Sequence, residues 1–128
     1  MLYVNGRQVT RGKTPSSVNK ADEKAIGCFL QGAVYCWCDT KGKAKFTAPT
    51  FVGGKNWHWG GTPLMKIYEY HLKKQKSHGK AYKKAGIDAG HLLKKVLIKD
   101  RRRFDRKTGS GYERNAKYAW DGQYPKKP

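Results

Sequence analysis

Residues 81–104 read AYKKAGIDAGHLLKKVLIKDRRRF and combine a long aliphatic run with eight of the chain's 28 lysines and arginines. On a helical wheel at about 100° per residue, positions 88–102 separate into two sides. The apolar side contains Leu92, Leu93, Val96 and Leu97. The other side contains His91, Lys94, Lys95, Ile98 and Arg102, with Lys99 at its border. This pattern predicts a helix that packs on a core and presents positive charge outward.

The charge of the whole chain points to a polyanionic partner. The 28 lysines and arginines outnumber 9 acidic residues, giving a formal net charge of +19. These like charges repel one another in the folded state. Binding to nucleic acid would be favourable, because each phosphate that a basic side chain neutralises releases its counterions. An anionic membrane surface and a merely solvated surface are the alternatives. Residues 66–128 carry 19 basic and 6 acidic groups, so we expect the C-terminal half to contact the polyanionic partner.

Length and composition predict one compact domain. The chain has 128 residues, of which 38% are hydrophobic and 12% aromatic, which is too apolar for a disordered protein. We divide it into a β-rich part (1–61), a second part (62–120) and a flexible tail (121–128). No apolar run reaches 18 residues and no signal-peptide pattern opens the sequence, which predicts a cytoplasmic protein without a membrane partner.

The N-terminal part predicts a hairpin, a helix and a second hairpin. Asn5-Gly6 lies between short apolar runs and is typical of a two-residue hairpin turn. Asn19 is placed to cap a helix that we expect to end near Gly32. The aromatic, β-prone residues that follow predict strands near 33–39 and 43–48. The alternative is that the helix continues to Trp37, because the apolar spacing also continues.

From residue 62 onward the pattern predicts helix, short helix, helix and hairpin. Thr62 as a cap and Pro63 at the first helical position start the first helix. A short helix in HGKAYKKAG ends at Gly86, and a third helix runs from Asp88 to about Arg101. A glycine-tipped hairpin follows around 106–114.

This order resembles a winged helix-turn-helix unit over residues 62–120. Ala85, Gly86 and Ile87 fit the small-residue, glycine, apolar order of its turn, whereas Tyr82 and Gly90 depart from the motif. The resemblance implies an α+β fold in which the N-terminal hairpin–helix–hairpin region packs on a C-terminal three-helix winged-helix-like unit. It also implies that helix 88–102 lies in a DNA major groove while the hairpin contacts the backbone or minor groove.

These patterns predict a small, non-enzymatic nucleic-acid-binding protein that favours duplex DNA over RNA. The expected contact residues are His91, Lys94, Lys95, Lys99, Arg101, Arg102, Arg103, Arg106, Lys107 and Arg114. Ala89 and Gly90 offer little to a base edge, so we expect phosphate contacts and limited sequence specificity. Homodimerisation is left open.

Three alternatives depend on other residues. Tyr35, Trp37 and Phe46 could stack unpaired RNA bases if they lie on a sheet. A nuclease needs acidic metal ligands or a histidine acid–base pair, and the nine carboxylates form no such motif; His71 is expected to be a satisfied core histidine. Cys36 and Cys38 could bind zinc with His58 or His71, although only one short cysteine pair exists. We therefore predict buried free thiols and no metal, cofactor or catalytic residue.

Overall fold

A computed structural model describes residues 1–52, 59–107 and 116–125 and confirms the predicted α+β class. The helices in these ranges are α1 (Lys20–Lys41), α2 (Met65–Gln75) and α3 (His78–Lys99), with a 3-10 helix at Pro49–Val52. The strands are β1 (Leu2–Val4), β2 (Arg7–Val9), β3 (Phe104–Lys107) and β4 (Lys117–Trp120). None of the helices in the described ranges has the length and apolar character needed to cross a bilayer.

The four described strands form one mixed sheet in the order β2-β1-β3-β4. Asn5 and Gly6 join β1 to β2 with φ angles of 51° and 79°, the positive values that this hairpin turn requires, so the first hairpin is confirmed. The parallel neighbour of β1 is β3, with Leu2 opposite Phe104. β3 and β4 pair antiparallel, which confirms the strands of the last hairpin, while its tip (108–115) lies outside the described residues.

α3 is the central element of the core. It packs against α2, α1 and β1. Its buried side consists of Ala81, Ala85, Ala89, Leu92, Leu93, Val96 and Leu97. The apolar side predicted from the helical wheel is therefore confirmed, and each buried leucine contributes about 1.5–3 kcal/mol relative to an exposed one.

The predicted helix break at Gly86 is wrong, because α3 continues without interruption through Gly86 and Gly90. A glycine inside a helix costs only about 1 kcal/mol relative to alanine. The fully buried Ala85 and Ala89 lie on either side of Gly86 and hold the helix against the core. Residues 62–99 therefore contain two helices instead of the three predicted, and the turn expected between helices is absent.

The predicted end of α1 near Gly32 and the second hairpin at 33–39 and 43–48 are also wrong. α1 starts as predicted, with the Asn19 side chain accepting a 2.8 Å hydrogen bond from the Asp22 amide. It then extends to Lys41, beyond the Trp37 limit of the alternative. The physical reason is a continuous row of buried side chains at every fourth residue, made of Ile26, Leu30, Val34 and Cys38.

The start of α2 differs from its prediction by a few residues. The helix begins at Met65, and Thr62 lies in the turn before it. The Thr62 hydroxyl donates to the Trp59 carbonyl at 2.8 Å instead of capping the helix. Tyr82 of α3 stacks on Tyr68 of α2 with ring centroids 4.1 Å apart, so this large residue packs between the helices where the resembled motif commonly has a small one.

The aromatic platform proposed for RNA is not formed. Tyr35 and Trp37 belong to α1, not to a strand. Phe46 is only 1% exposed and forms a bridge with Tyr118 of β4. Trp37 packs its edge against Phe46 at 6.2 Å, so these rings serve the core.

The three cysteines are free thiols, but only Cys38 is buried. Cys28 and Cys36 are exposed, which corrects the prediction that all three lie in the interior. Residues two apart do not face each other on a helix, so Cys36 and Cys38 point in different directions and do not form the pair that the zinc alternative required. Burial raises the pKa of Cys38 to about 11.

We expect two of the three thiols to react with a disulfide reagent in the native protein at about pH 8, near the ordinary thiol pKa. The thiolate is the nucleophile, and Cys38 is both covered and held protonated. Reaction with Ellman's reagent before and after addition of denaturant measures the count. Cys38→Ser should leave the number of thiols that react in the native protein unchanged. Rapid reaction of all three thiols in the native protein would contradict the burial of Cys38.

Candidate nucleic-acid interface

The uninterrupted α3 aligns a row of basic residues along its outer side. Residues three or four positions apart are neighbours on a helix surface. The row consists of the basic residues Lys80, Lys83, Lys84, His91 and Lys94 with Ile87 between them, and we call it the basic strip. Its first four members are exposed, and the last two are half-buried. The strip exists only because the helix does not stop at Gly86.

The second half of the basic strip borders a cleft of about 190 Å³. The cleft lies between α3, the segment leading into the 3-10 helix, and the sheet edge at β4. α3 lines it with Gly86, Ile87, Gly90, His91 and Lys94, and the other walls are Thr47, Ala48, Pro49, Arg106, Ala116 and Tyr118. We call this the α3–β4 cleft.

The pairing of β3 with β4 explains how Arg106 reaches the cleft. Directly opposite residues of an antiparallel pair share one face of the sheet, and so do alternate residues of one strand. Arg106 is opposite Tyr118, and Phe104 lies two residues before Arg106 on the same face. The strand that buries Phe104 in the core therefore also brings Arg106 to the rim of the cleft.

The wall opposite α3 is fixed by hydrogen bonds. The Phe46 amide donates to the Tyr118 carbonyl at 2.8 Å, and the Tyr118 amide donates back at 2.9 Å. The Thr47 amide donates to the Thr50 hydroxyl at 3.0 Å. These bonds hold the segment 47–49 against β4, so the cleft is preformed.

Three of the predicted contact residues meet at this cleft: His91, Lys94 and Arg106. Within residues 1–52, 59–107 and 116–125, none of the three forms an ion pair with an acidic side chain. The charges of Lys94 and Arg106 are therefore available to an anionic ligand in the cleft, and the imidazole of His91 adds a hydrogen-bonding group.

The glycines of the cleft leave its α3 side open. Apart from the helix's own backbone and the adjoining residues, a Cβ atom added to Gly86 or Gly90 would have no atom of the described residues within 4 Å. A ligand can therefore approach the helix backbone closely at both positions. Each glycine still costs the helix about 1 kcal/mol relative to alanine, and packing among the described residues does not require either one.

Lys95 and Lys99 lie on the other border of α3, next to α1. The Lys95 ammonium contacts the Glu23 carboxylate and the Thr14 hydroxyl. The hydrogen bond from Lys95 lowers the pKa of Glu23, and the charge of Lys99 adds to this effect. Lys95 therefore ties α3 to α1, and neither lysine lines the α3–β4 cleft.

Arg102 is a buried structural residue, which corrects its assignment to the outer side of the helix. It is 5% exposed, and its guanidinium binds Asp100 with two hydrogen bonds of 3.1 and 2.7 Å. It also lies over the Tyr35 ring, 4.3 Å from the centroid. Burial alone would raise the pKa of Asp100, but hydrogen bonds from Arg102 and Gln31 outweigh it and lower this pKa.

The remaining predicted contacts are spread over other surfaces. Arg103 pairs with Asp105 at 3.3 Å and lies over the Tyr3 ring at 4.1 Å. Lys107 is one residue after Arg106 and so points to the opposite face of the sheet. Arg101 is exposed at the end of α3 but does not line the cleft, and Arg114 lies outside the described residues.

The sequence prediction missed Lys80, Lys83 and Lys84. It placed them on a separate short helix, where they had no fixed relation to Lys94. Their spacing from Lys94 in steps of three or four was visible in the sequence. The assumed break at Gly86 hid that regularity.

Outside the cleft, Ser17, His71 and Asp88 form a hydrogen-bonded cluster. The Ser17 hydroxyl donates to Asp88 Oδ2 at 2.7 Å, and His71 Nε2 contacts the same oxygen at 2.6 Å. A nucleophilic triad needs the histidine between serine and carboxylate, whereas here the carboxylate is in the middle. The cluster ties the segment before α1 to α2 and α3, and His71 is satisfied as predicted.

The part of the chain that the structure describes contains no group of three His, Cys, Asp or Glu residues that could hold a metal ion. Cys36 and His71 are on different helices and are not brought together in such a group. His58, the other proposed zinc ligand, lies outside the described residues.

Comparison with protein-family models, with curated proteins and with solved structures found no match to this chain. The physical properties of the basic strip and the α3–β4 cleft are therefore the basis for a functional proposal.

Proposed function

We propose that this chain is a non-enzymatic nucleic-acid-binding protein that contacts its ligand through the basic strip and the α3–β4 cleft. The supporting observation is that His91, Lys94 and Arg106, from two different elements, line one preformed cleft and form no ion pair with an acidic side chain of residues 1–52, 59–107 or 116–125. Phosphates are the ligands that such a set of charges neutralises, and the release of their counterions drives binding.

The packing of α3 argues for nucleic acid over an anionic membrane. A helix that binds a lipid surface lays an apolar side into the headgroup region. The apolar side of α3 is buried against α1, α2 and β1. Ile87, 52% exposed, is the large apolar residue that the strip presents to solvent. A surface of this kind holds phosphates but offers little for insertion into lipid.

The side chains of α3 also support low sequence specificity. Ala89 is fully buried and Gly90 has no side chain, so neither can contact a base edge. Lysine binds phosphate as a point charge without directional demands. The predicted preference for duplex DNA drew on the resemblance to a helix-turn-helix unit, and α3 lacks the turn at Gly86 that belongs to that resemblance. The proposal is therefore made for nucleic acid as a class.

Titration with labelled nucleic acid tests this proposal. We expect fluorescence anisotropy to show binding at about 50 mM salt that weakens steeply toward about 200 mM, linearly in log affinity against log salt. Single-stranded and duplex oligomers should both remain intact after incubation with and without Mg²⁺. An affinity that does not change with salt concentration, or no binding to either oligomer at the lower salt, refutes the proposal. Cleavage of either oligomer refutes the part of the proposal that calls the protein non-enzymatic.

A further inference from the structure

The α3–β4 cleft contains apolar side chains that a ligand made only of phosphate groups would not contact favourably. Its rim carries His91, Lys94 and Arg106, but its walls include the apolar side chains Ala48, Pro49, Ile87, Ala116 and Tyr118. Phosphate oxygens gain nothing from apolar contact and prefer water. A ligand that fits the cleft therefore has an apolar part next to an anionic part.

The size of the cleft restricts the ligand further. Its volume is about 190 Å³. Sites that enclose a whole cofactor or drug-sized molecule measure about 300–1,000 Å³. The cleft is thus suited to one unit of a longer ligand whose remainder follows the basic strip.

We infer that the α3–β4 cleft binds one unpaired nucleotide of a single-stranded nucleic acid, with the base between the glycine side of α3 and the wall at 47–49. This inference rests on the proposed function. The phosphates on either side of the base contact Lys94 and Arg106 at the rim. A base in an intact duplex keeps its faces stacked on its neighbours and would have to be extruded first, at a cost of a few kcal/mol.

Gly86 and Gly90 suit such an occupant. The base is a rigid plane that must lie close to the helix backbone, and no side chain in the described part of the protein lies within 4 Å of the Cβ position of either glycine. A side chain at Gly90 would project into the space that the base needs. Replacing a glycine inside a helix with a residue such as alanine or leucine also stabilises the helix. Such a change at Gly90 is therefore expected to weaken binding of the base while it raises the stability of the protein.

The test compares three labelled ligands of about 12 nucleotides, a length within the range of single-strand sites. These are oligothymidylate, an abasic strand of equal charge, and a duplex. We expect the wild-type protein to bind oligothymidylate about tenfold more tightly than the abasic strand, since both share the phosphate contacts and only one has bases. Failure to bind any of the three at low salt refutes the proposed function itself.

Variants then localise the effect. Gly90→Leu should reduce the tenfold preference to about twofold or less and keep or raise the melting temperature. Gly32→Leu on α1, also with open space above it, is the matched control and should keep the preference. If Gly90→Leu folds poorly, Gly90→Ala replaces it with the same expected direction.

Three results would each overturn the inference while leaving the proposed function intact. One is equal wild-type affinity for oligothymidylate and the abasic strand, which would show that no base is recognised. Another is a preference for oligothymidylate over the abasic strand that Gly90→Leu and Gly32→Leu reduce equally. The third is a loss of affinity in Gly90→Leu that is as large for the duplex as for oligothymidylate.

Discussion

Replacing Arg102 with alanine lowers the free energy of unfolding by about 3–5 kcal/mol, the range measured when one partner of a buried ion pair is removed. Asp100, 6% exposed, would lose two guanidinium hydrogen bonds and keep the 2.8 Å bond from Gln31 and the 2.9 Å bond from the Arg102 amide. The guanidinium also fills the space next to Tyr35 and Phe104. Chemical denaturation followed by circular dichroism measures the change.

Arg103→Ala is the matched control for this prediction. Arg103 is adjacent in sequence, but its side chain is 44% exposed and its pair with Asp105 is on the surface. Such pairs are worth about 0–1 kcal/mol. Adding Asp100→Asn to the Arg102→Ala variant should restore part of the stability, because it removes the uncompensated charge. Equal losses for Arg102→Ala and Arg103→Ala would show that the buried pair is not a structural requirement.

The acid dependence of stability gives an independent check on the same pair. The pKa of Asp100 is lowered in the folded protein, so its contribution is present above the ordinary carboxyl pKa of about 3.9 and is lost as pH falls through the lower folded value. Without the Arg102 side chain, Asp100 loses the guanidinium hydrogen bonds and charge that lower its pKa while burial still raises it, so its pKa is higher in the variant than in the wild type. The stability difference between wild type and Arg102→Ala should therefore shrink in acid.

Local chemistry made several elements predictable from the sequence. Asn5-Gly6 permits few alternatives to a hairpin turn because both residues need positive φ. Asn19 satisfies a free amide at the start of α1. The apolar side of α3 followed from its spacing alone. Each of these features is decided by residues close together in the chain.

Elements that depend on distant partners were not predictable in this way. The glycines at 32 and 86 indicated helix ends, yet burial against other elements outweighed a cost of about 1 kcal/mol at each. Arg102 matched the polar side of the helical wheel, but α3 ends at Lys99 and the chain turns Arg102 into the core. The meeting of Arg106 with Lys94 depends on strand pairing, which spacing within α3 cannot show.

The pair Lys94→Gln and Arg106→Gln should weaken nucleic-acid binding about 10- to 100-fold at low salt without unfolding the protein. Both residues line the cleft, and neither has an ion pair in the described ranges whose loss would destabilise the fold. Each phosphate contact adds about 0.7 to the slope of log affinity against log salt for single strands and about 0.9 for duplex DNA. The slope should therefore decrease by about 1.4–1.8.

The control pair is Lys20→Gln and Lys24→Gln on the exposed surface of α1. It lowers the net charge by the same two units, and α1 contributes no residue to the cleft. We expect its salt slope to change by less than about 0.3, a fraction of one contact. Equal losses of slope for the two pairs would mean that the ligand responds to the total charge of +19 and has no preferred surface. A selective loss at Lys94 and Arg106 locates phosphate binding at the junction of α3 and β3, where helix continuity and strand register bring the charges together.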